Sequence, residues 1–327
     1  MKVAVVGLGA MGGYIAARML EAGLAPTALV TRRHLGPLRD HGLRLESGGR
    51  SDAWPIEVSD EPAALGLQDL IVLAVKATSL PSIAASLRPM IGPRTLILAA
   101  MNGVPWWFFH GLDPVQAARP LEAVDPGGRV TAALPPAQTI GCVLHLAASM
   151  PEPGLVRHAL GNRFIIGDPI ARGTGNVGRA PTVVELFCRA GLDAIVAEDI
   201  QAEVWFKLWG NMTMNPVSAL TGATMDRILQ DDDARHFMSR AMLEAGEVSK
   251  RFGIELPVTP EERHRVAAQL GAFKTSMLQD VEASRPIELD ALVGTVIEIA
   301  DRLGIDVPNI RALMGLTRLR AQTLGLY

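Results

Sequence analysis

Val3-Ala4-Val5-Val6-Gly7-Leu8-Gly9-Ala10-Met11-Gly12-Gly13 stands at the start of the chain, and its reading decides the fold. Lys2 to Val6 is a short apolar β run, and Tyr14 to Glu21 has helical spacing. Strand, G-x-G-x-x-G, helix is the context a dinucleotide fingerprint requires. Gly7 permits the tight turn, Gly9 lets backbone approach a pyrophosphate, and Gly12 lets helix and strand pack closely. Leu8, Ala10 and Met11 complete the cradle, because amides at a helix N-terminus hold phosphate charge. A ligand-free glycine-rich turn is the plainer alternative. The place of the motif after the first strand argues against it.

The next segments extend a doubly wound α/β sheet. Thr27 to Thr31 reads as the second strand. About 20 residues past the glycines, where an acidic residue would accept from a ribose 2′-hydroxyl, the chain has Thr31-Arg32-Arg33. Arg32 can pair with a 2′-phosphate instead, which favours NADP over NAD. Gly42 to Glu46 and Ile56 to Ser59 look like further strands. Asp69 to Lys76 is a continuous apolar run ending in a charge, which suits a buried parallel strand opening on a ligand crevice. Pro81 opens a helix to about Arg88, and Thr95 to Met101 is the next buried strand. Lys76 and Asn102 therefore leave the sheet at the edge where such folds bind ligands. The aromatic run Trp106-Trp107-Phe108-Phe109 follows, and at least one of its rings is expected to line the substrate pocket. Thr139 to Ala148 and Gly154 to Arg157 read as a hairpin, Arg163 to Gly167 as a separate short strand, Pro181 to Ala190 as a helix and Asp193 to Val196 as the last strand.

Beyond Asp199 the pattern becomes helical, over Ile200 to Met214, Ala234 to Phe252, Pro260 to Phe273, Leu289 to Leu303 and Asn309 to Leu324. The expected division is a dinucleotide-binding domain over 1–197 and an all-helical substrate and dimerisation domain over 198–327, with a crevice between them. In Glu203-Val204-Trp205-Phe206-Lys207-Leu208-Trp209-Gly210-Asn211-Met212-Thr213-Met214-Asn215-Pro216, residues four apart share a face. Lys207, Asn211 and Asn215 thus form a row of one ammonium and two amides, with Glu203 one turn earlier. Val204, Trp205, Leu208 and Met212 form an apolar face. Pro216 is expected to end or kink this helix. A lysine among tryptophans is costly unless its charge is used or paired.

Composition excludes several classes. The chain has 327 residues, 49% of them hydrophobic, which excludes general disorder, and a net charge of −3, which gives no electrostatic case for nucleic acid or an anionic membrane. No apolar run is long enough for a membrane span. Cys142 and Cys188 form neither a metal-ligand spacing nor a disulfide framework, which suits a reducing cytoplasm. Asp231-Asp232-Asp233 reads as acidic residues at a helix start, so no metal is expected.

The assembled motifs resemble the ketopantoate reductase (2-dehydropantoate 2-reductase) family, in the 6-phosphogluconate dehydrogenase-like group. The matching pieces are Gly7 to Gly12, Arg32, Val75-Lys76-Ala77, Asn102-Gly103-Val104, Glu152-Pro153-Gly154, Trp205 to Pro216, Lys274 to Asp280, and Arg285 with Glu288. The resemblance implies an NADPH-dependent reduction of a 2-oxo acid, ketopantoate first among them. Five long helices offer apolar surface for a homodimer, the expected assembly, and the cysteine usage fits a cytoplasmic enzyme. It implies that Lys207 protonates the developing alkoxide. It also implies that Asn211 and Asn215 bind substrate, that Ser276 holds its carboxylate, and that Glu288 helps hold the hydroxyl and the cofactor end. Lys76 and Asn102 would line the nicotinamide and substrate crevice. The chemistry agrees: hydride arriving at a ketone carbon leaves charge on oxygen, and a nearby ammonium stabilises it and supplies the proton. The apolar run after Asn102-Gly103 departs from the family's small or polar residues and points to a reductase for a bulkier 2-oxo acid as the alternative. A non-catalytic NADP-binding sensor is a third reading, and Lys207 with Glu288 speaks against it.

Overall fold

The computed structural model describes residues 1–327. The strands are β1 (Val3–Val6), β2 (Thr27–Leu29), β3 (Leu43–Ser47), β4 (Arg50–Trp54), β5 (Glu57–Ser59), β6 (Leu70–Leu73), β7 (Leu96–Ala99), β8 (Thr139–Glu152), β9 (Leu155–Gly167) and β10 (Asp193–Val196). The helices among them are α1 (Ala10–Glu21), α2 (Arg32–His41), α3 (Pro62–Leu65), α4 (Leu80–Ile83), α5 (Pro114–Ala117), α6 (Arg129–Ala133) and α7 (Ala180–Arg189). Then come α8 (Ile200–Thr221), α9 (Met225–Gln230), α10 (Asp232–Lys250), α11 (Pro260–Ala268), α12 (Ser276–Glu282), α13 (Thr295–Leu303) and α14 (Pro308–Thr323).

The strands form one mixed sheet in the order β4-β3-β9-β8-β7-β6-β1-β2-β5, with β10 beside β9. β1 lies between β2 and β6, parallel to both, so the chain reverses its direction of winding there. That is the switch point at which an open α/β sheet binds ligands. β1 and β6 are buried along their whole length, as their unbroken apolar sequences require of strands covered on both faces. The helix α1 packs its small residues, Ala16 and Ala17 among them, into the same core as Val5, Val72 and Leu98.

The chain divides into two compact units, one of 1–101, 106–119 and 128–203, the other of 102–105, 120–127 and 204–327. One boundary between the units falls inside α8 at 203/204, where one continuous helix starts in the first unit and runs on into the second.

Several local expectations change. Arg163 to Gly167 is not a separate strand but the end of β9, which pairs antiparallel with β8 over a long hairpin. Bulges in that pairing broke the alternating pattern that would have shown one strand. β4, α9 and α12 are additional elements, each short. α8 does not end at Pro216 but continues to Thr221. Met212 and residues 213–219 are buried around the proline, so tertiary packing offsets the one hydrogen bond that Pro216 cannot donate.

The aromatic run is core. Trp106, Trp107, Phe108 and Phe109 are all buried in the first unit. Trp106 Nε1 donates to Leu134 O at 3.0 Å. The Trp107 ring lies so close to Gly141 that a Cβ there would meet it at 2.5 Å. The expectation that one of these rings lines a pocket is therefore replaced by packing, for which large apolar surface is the ordinary use.

Candidate active site

The fingerprint has the geometry its glycines predict. Gly7 takes φ +90, and a Cβ there would sit 2.7 Å from Val75 Cγ1. At Gly12 a Cβ would strike Gly7 O at 2.1 Å, so helix α1 and strand β1 approach as only glycine allows. A Cβ built at Gly9 would meet no other group within 4 Å, so there is room beside this residue for a ligand. Gly9 is also the N-cap of α1 and has no side chain to occupy the first-turn amides. Leu8 is buried beneath the turn, while Ala10 and Met11 are half-buried at the helix start. The cradle fits a dinucleotide pyrophosphate.

Arg32 does not end β2 but opens helix α2, where its side chain is 93% exposed and 3.6 Å from Asp60 Oδ2. Thr31, the N-cap of α2, spends its hydroxyl on His34 Nδ1 at 2.8 Å rather than on the helix amides. Asp60 and His34 were not singled out by the sequence, since neither has a spacing that ties it to Arg32. Lys76 is half-buried just past β6 in the first unit.

The second unit gathers the other group. Lys207 Nζ donates to Asn102 Oδ1 at 2.8 Å, although the two residues are far apart in sequence. Asn102 is placed by its neighbours. Val104 N donates to Ala291 O at 2.9 Å. Gly103, with φ +85, lies so near that a Cβ would stand 2.5 Å from the same carbonyl. Ala291 belongs to a π-helical turn over Asp290–Gly294 that leads into α13, a wide turn of a kind frequent at functional sites. Glu288, half-buried, precedes that turn, and its carbonyl accepts from Leu292 N at 3.3 Å. Tyr327 Oη donates to Asp290 Oδ1 at 2.7 Å, and burial followed by this bond pushes the phenol up to about 12. The π turn is thus held from the chain's last residue as well.

Along α8, Asn211 is half-buried and Asn215 buried, one and two turns beyond Lys207. Glu203, one turn before Lys207, has its carboxyl pushed up, first by burial and then by the charge of Asp199. Ser276 is exposed at the first position of α12. Its hydroxyl is not needed for capping, because Thr275 Oγ1 accepts from Leu278 N at 3.2 Å. Arg285 is pinned to Asp280, Nε to Oδ1, at 2.9 Å.

A switch-point glycine cradle in one unit and the Lys207–Asn102 pair in the other suit a nicotinamide-dinucleotide-dependent oxidoreductase. The chain belongs to the ketopantoate reductase family: residues 3–170 match Ketopantoate reductase PanE/ApbA, and residues 199–321 match Ketopantoate reductase PanE/ApbA C terminal. It is similar to the 2-dehydropantoate 2-reductase of Mesorhizobium japonicum, 40% identical over 100% of both chains. The 2-dehydropantoate 2-reductase of Halobacterium salinarum is 30% identical over 98% of each chain. A Ralstonia solanacearum crystal structure assigned to ketopantoate reductase superposes with TM-score 0.95 at 47% identity, over 100% of this chain and 99% of that one. No helix is long and apolar enough to cross a membrane.

Proposed function

We propose that this protein reduces 2-dehydropantoate (ketopantoate) to pantoate with NADPH, a step of pantothenate synthesis. The observation that carries the mechanism is the 2.8 Å bond from Lys207 Nζ to Asn102 Oδ1. It orients the ammonium, which carries three hydrogens, one of them donated to Asn102. The nicotinamide of a dinucleotide held at the glycine cradle would supply the hydride for the keto carbon. Lys207 stabilises the charge that develops on the keto oxygen and then gives that oxygen a proton. Asn102 positions Lys207. Asn211 and Asn215 donate from the same helix face to substrate oxygens, Ser276 donates to its carboxylate, and Glu288 accepts from the new hydroxyl. Residues 1–197 bind the cofactor, with Gly7 to Gly12 cradling the pyrophosphate, Lys76 beside the nicotinamide and Arg32 meeting the 2′-phosphate. Residues 198–327 hold the substrate.

Homodimerisation through the helical unit is supported by exposed leucines, Leu243 on α10 with Leu316 and Leu319 on α14, two helices that pack together. A cytoplasmic location is supported by two cysteines that are both free. The test is a panel of 2-oxo acids assayed for NADPH oxidation. Ketopantoate should have the highest kcat/KM. A bulkier acid in that place would retain the reductase chemistry and change the substrate. No oxidation with any member would remove the reading.

A further inference from the structure

Arg263 is a half-buried guanidinium that the fold seats and does not pair. It lies on α11, with its guanidinium carbon 5.5 Å from the centre of the Phe206 ring. Gly210, one turn further along the same helix face, makes the space: a Cβ there would stand 3.0 Å from Arg263 Nε and 3.1 Å from Nη2. Glycine in mid-helix is destabilising relative to alanine, so the notch in α8 has a cost that the seated guanidinium explains. No carboxylate forms an ion pair with Arg263, and its buried Nε has no hydrogen-bond partner. Burial alone shifts it, downward from the usual arginine value, which marks a charge taken from water without compensation.

The seat lies beside the proposed chemistry on the same helix. Phe206 immediately precedes Lys207, and Gly210 stands between Lys207 and Asn211 at three residues' spacing from the lysine. Residues three and four apart are surface neighbours on a helix, so the guanidinium flanks the line of Lys207 and Asn211. In a 2-oxo acid the carboxylate is bonded directly to the keto carbon. A group that binds it must therefore stand close beside the group that meets the keto oxygen.

We propose that Arg263 is a specificity-determining residue of this enzyme, receiving the carboxylate of the 2-oxo acid beside Lys207. The inference rests on the reductase reading above. A planar guanidinium matches a carboxylate in two parallel bonds, which a lysine cannot do. The Phe206 ring, 5.5 Å from the guanidinium carbon, holds the group in place before substrate arrives. An anion that binds there relieves an uncompensated charge, so acids gain over uncharged analogues of the same shape.

The test compares a 2-oxo acid with its uncharged amide, as substrates for wild type, Arg263→Met, Arg263→Lys and Gly210→Ala. Arg263→Met should raise KM for the acid about 10- to 100-fold and leave the amide's unchanged, with kcat altered far less. Arg263→Lys should recover only part of the preference, and Gly210→Ala, which displaces the guanidinium but keeps its charge, should weaken it as well. A loss shared equally by acid and amide would mean a structural role and overturn the proposal while the reductase reading stands. Carboxylate binding without turnover is read separately, by titrating oxalate against tryptophan fluorescence. If wild type reduces no 2-oxo acid, the reductase reading fails. The anion site survives that result only if oxalate binds wild type and not Arg263→Met, and absence of binding to wild type overturns both.

Discussion

Two arginines, one in each unit, are used in opposite ways. Arg179 is consumed by structure. Its Nε donates to Asp168 Oδ2 at 2.7 Å, its Nη2 to Asp168 Oδ1 at 2.8 Å, and two further hydrogens reach the carbonyls of Ala137 and Thr139. Burial alone would raise the Asp168 carboxyl, but the bonds from Arg179 outweigh it and hold the carboxyl below its usual value. Arg263 lies against a ring and a glycine, with no acceptor for its Nε. A charge whose hydrogen-bonding capacity is filled by its own chain locks loops together. A charge seated but left without an anion is held ready for one.

The contrast can be broken most directly at Lys207. Lys207→Ala should lower kcat by about 10²–10⁴-fold, the usual worth of a positioned proton donor. NADPH affinity, measured separately by fluorescence, should change little. Near wild-type kcat in that variant would make Lys207 a surface lysine covering apolar residues. Next in size is Arg179→Met, which leaves Asp168, 1% exposed, without its partner. It should lose about 3–5 kcal/mol in denaturant unfolding. Arg263→Met, by contrast, should unfold at nearly the wild-type denaturant concentration. Equal destabilisation by both would erase the distinction between the two arginines.

A smaller effect is expected at the cofactor. Arg32 is exposed and only loosely placed against Asp60, so its charge is available to a 2′-phosphate. Arg32→Ala should cost NADPH about 1.5–3 kcal/mol in kcat/KM and leave NADH unaffected. Wild-type enzyme that uses both cofactors equally would count against this role.

The smallest effect is one of pH. His264, next to Arg263, is buried with neither ring nitrogen hydrogen-bonded, and burial lowers its pKa. A lowered histidine is neutral in the folded protein, while the unfolded chain takes up the proton near pH 6.5. Stability is therefore complete above that pH and falls as pH drops through it, by at most about 1.4 kcal/mol per pH unit. His34 and His110 are also lowered, burial being the first cause in each, and add to the slope. His264→Leu should flatten part of the fall in Tm between pH 7.5 and 5.5. An unchanged slope would show that His264 keeps a hydrogen-bonding route to water.

Much of this protein is determined by its sequence alone, where the physics is local. The turn at Gly7 to Gly12 was legible because steric demands on glycine act between near neighbours, Gly12 against Gly7 O above all. The buried strands β1 and β6 were legible because burial on both faces requires unbroken apolar runs. The row of Lys207, Asn211 and Asn215 followed from helical periodicity. What only the tertiary structure decided depends on residues distant in sequence. Pro216 continues a helix because packing around it outweighs a local rule. The aromatic run became core because Leu134 and Gly141 receive Trp106 and Trp107. Asn102 meets Lys207 because Gly103 and Val104 dock on the π turn at Ala291. Arg263, one of five charged or ionisable residues in succession from Glu261 to Arg265, reads in sequence as part of a solvated helix face. Only the notch at Gly210 shows that it is half-buried, because the environment of a long side chain is set by what packs against it and not by its neighbours in the chain.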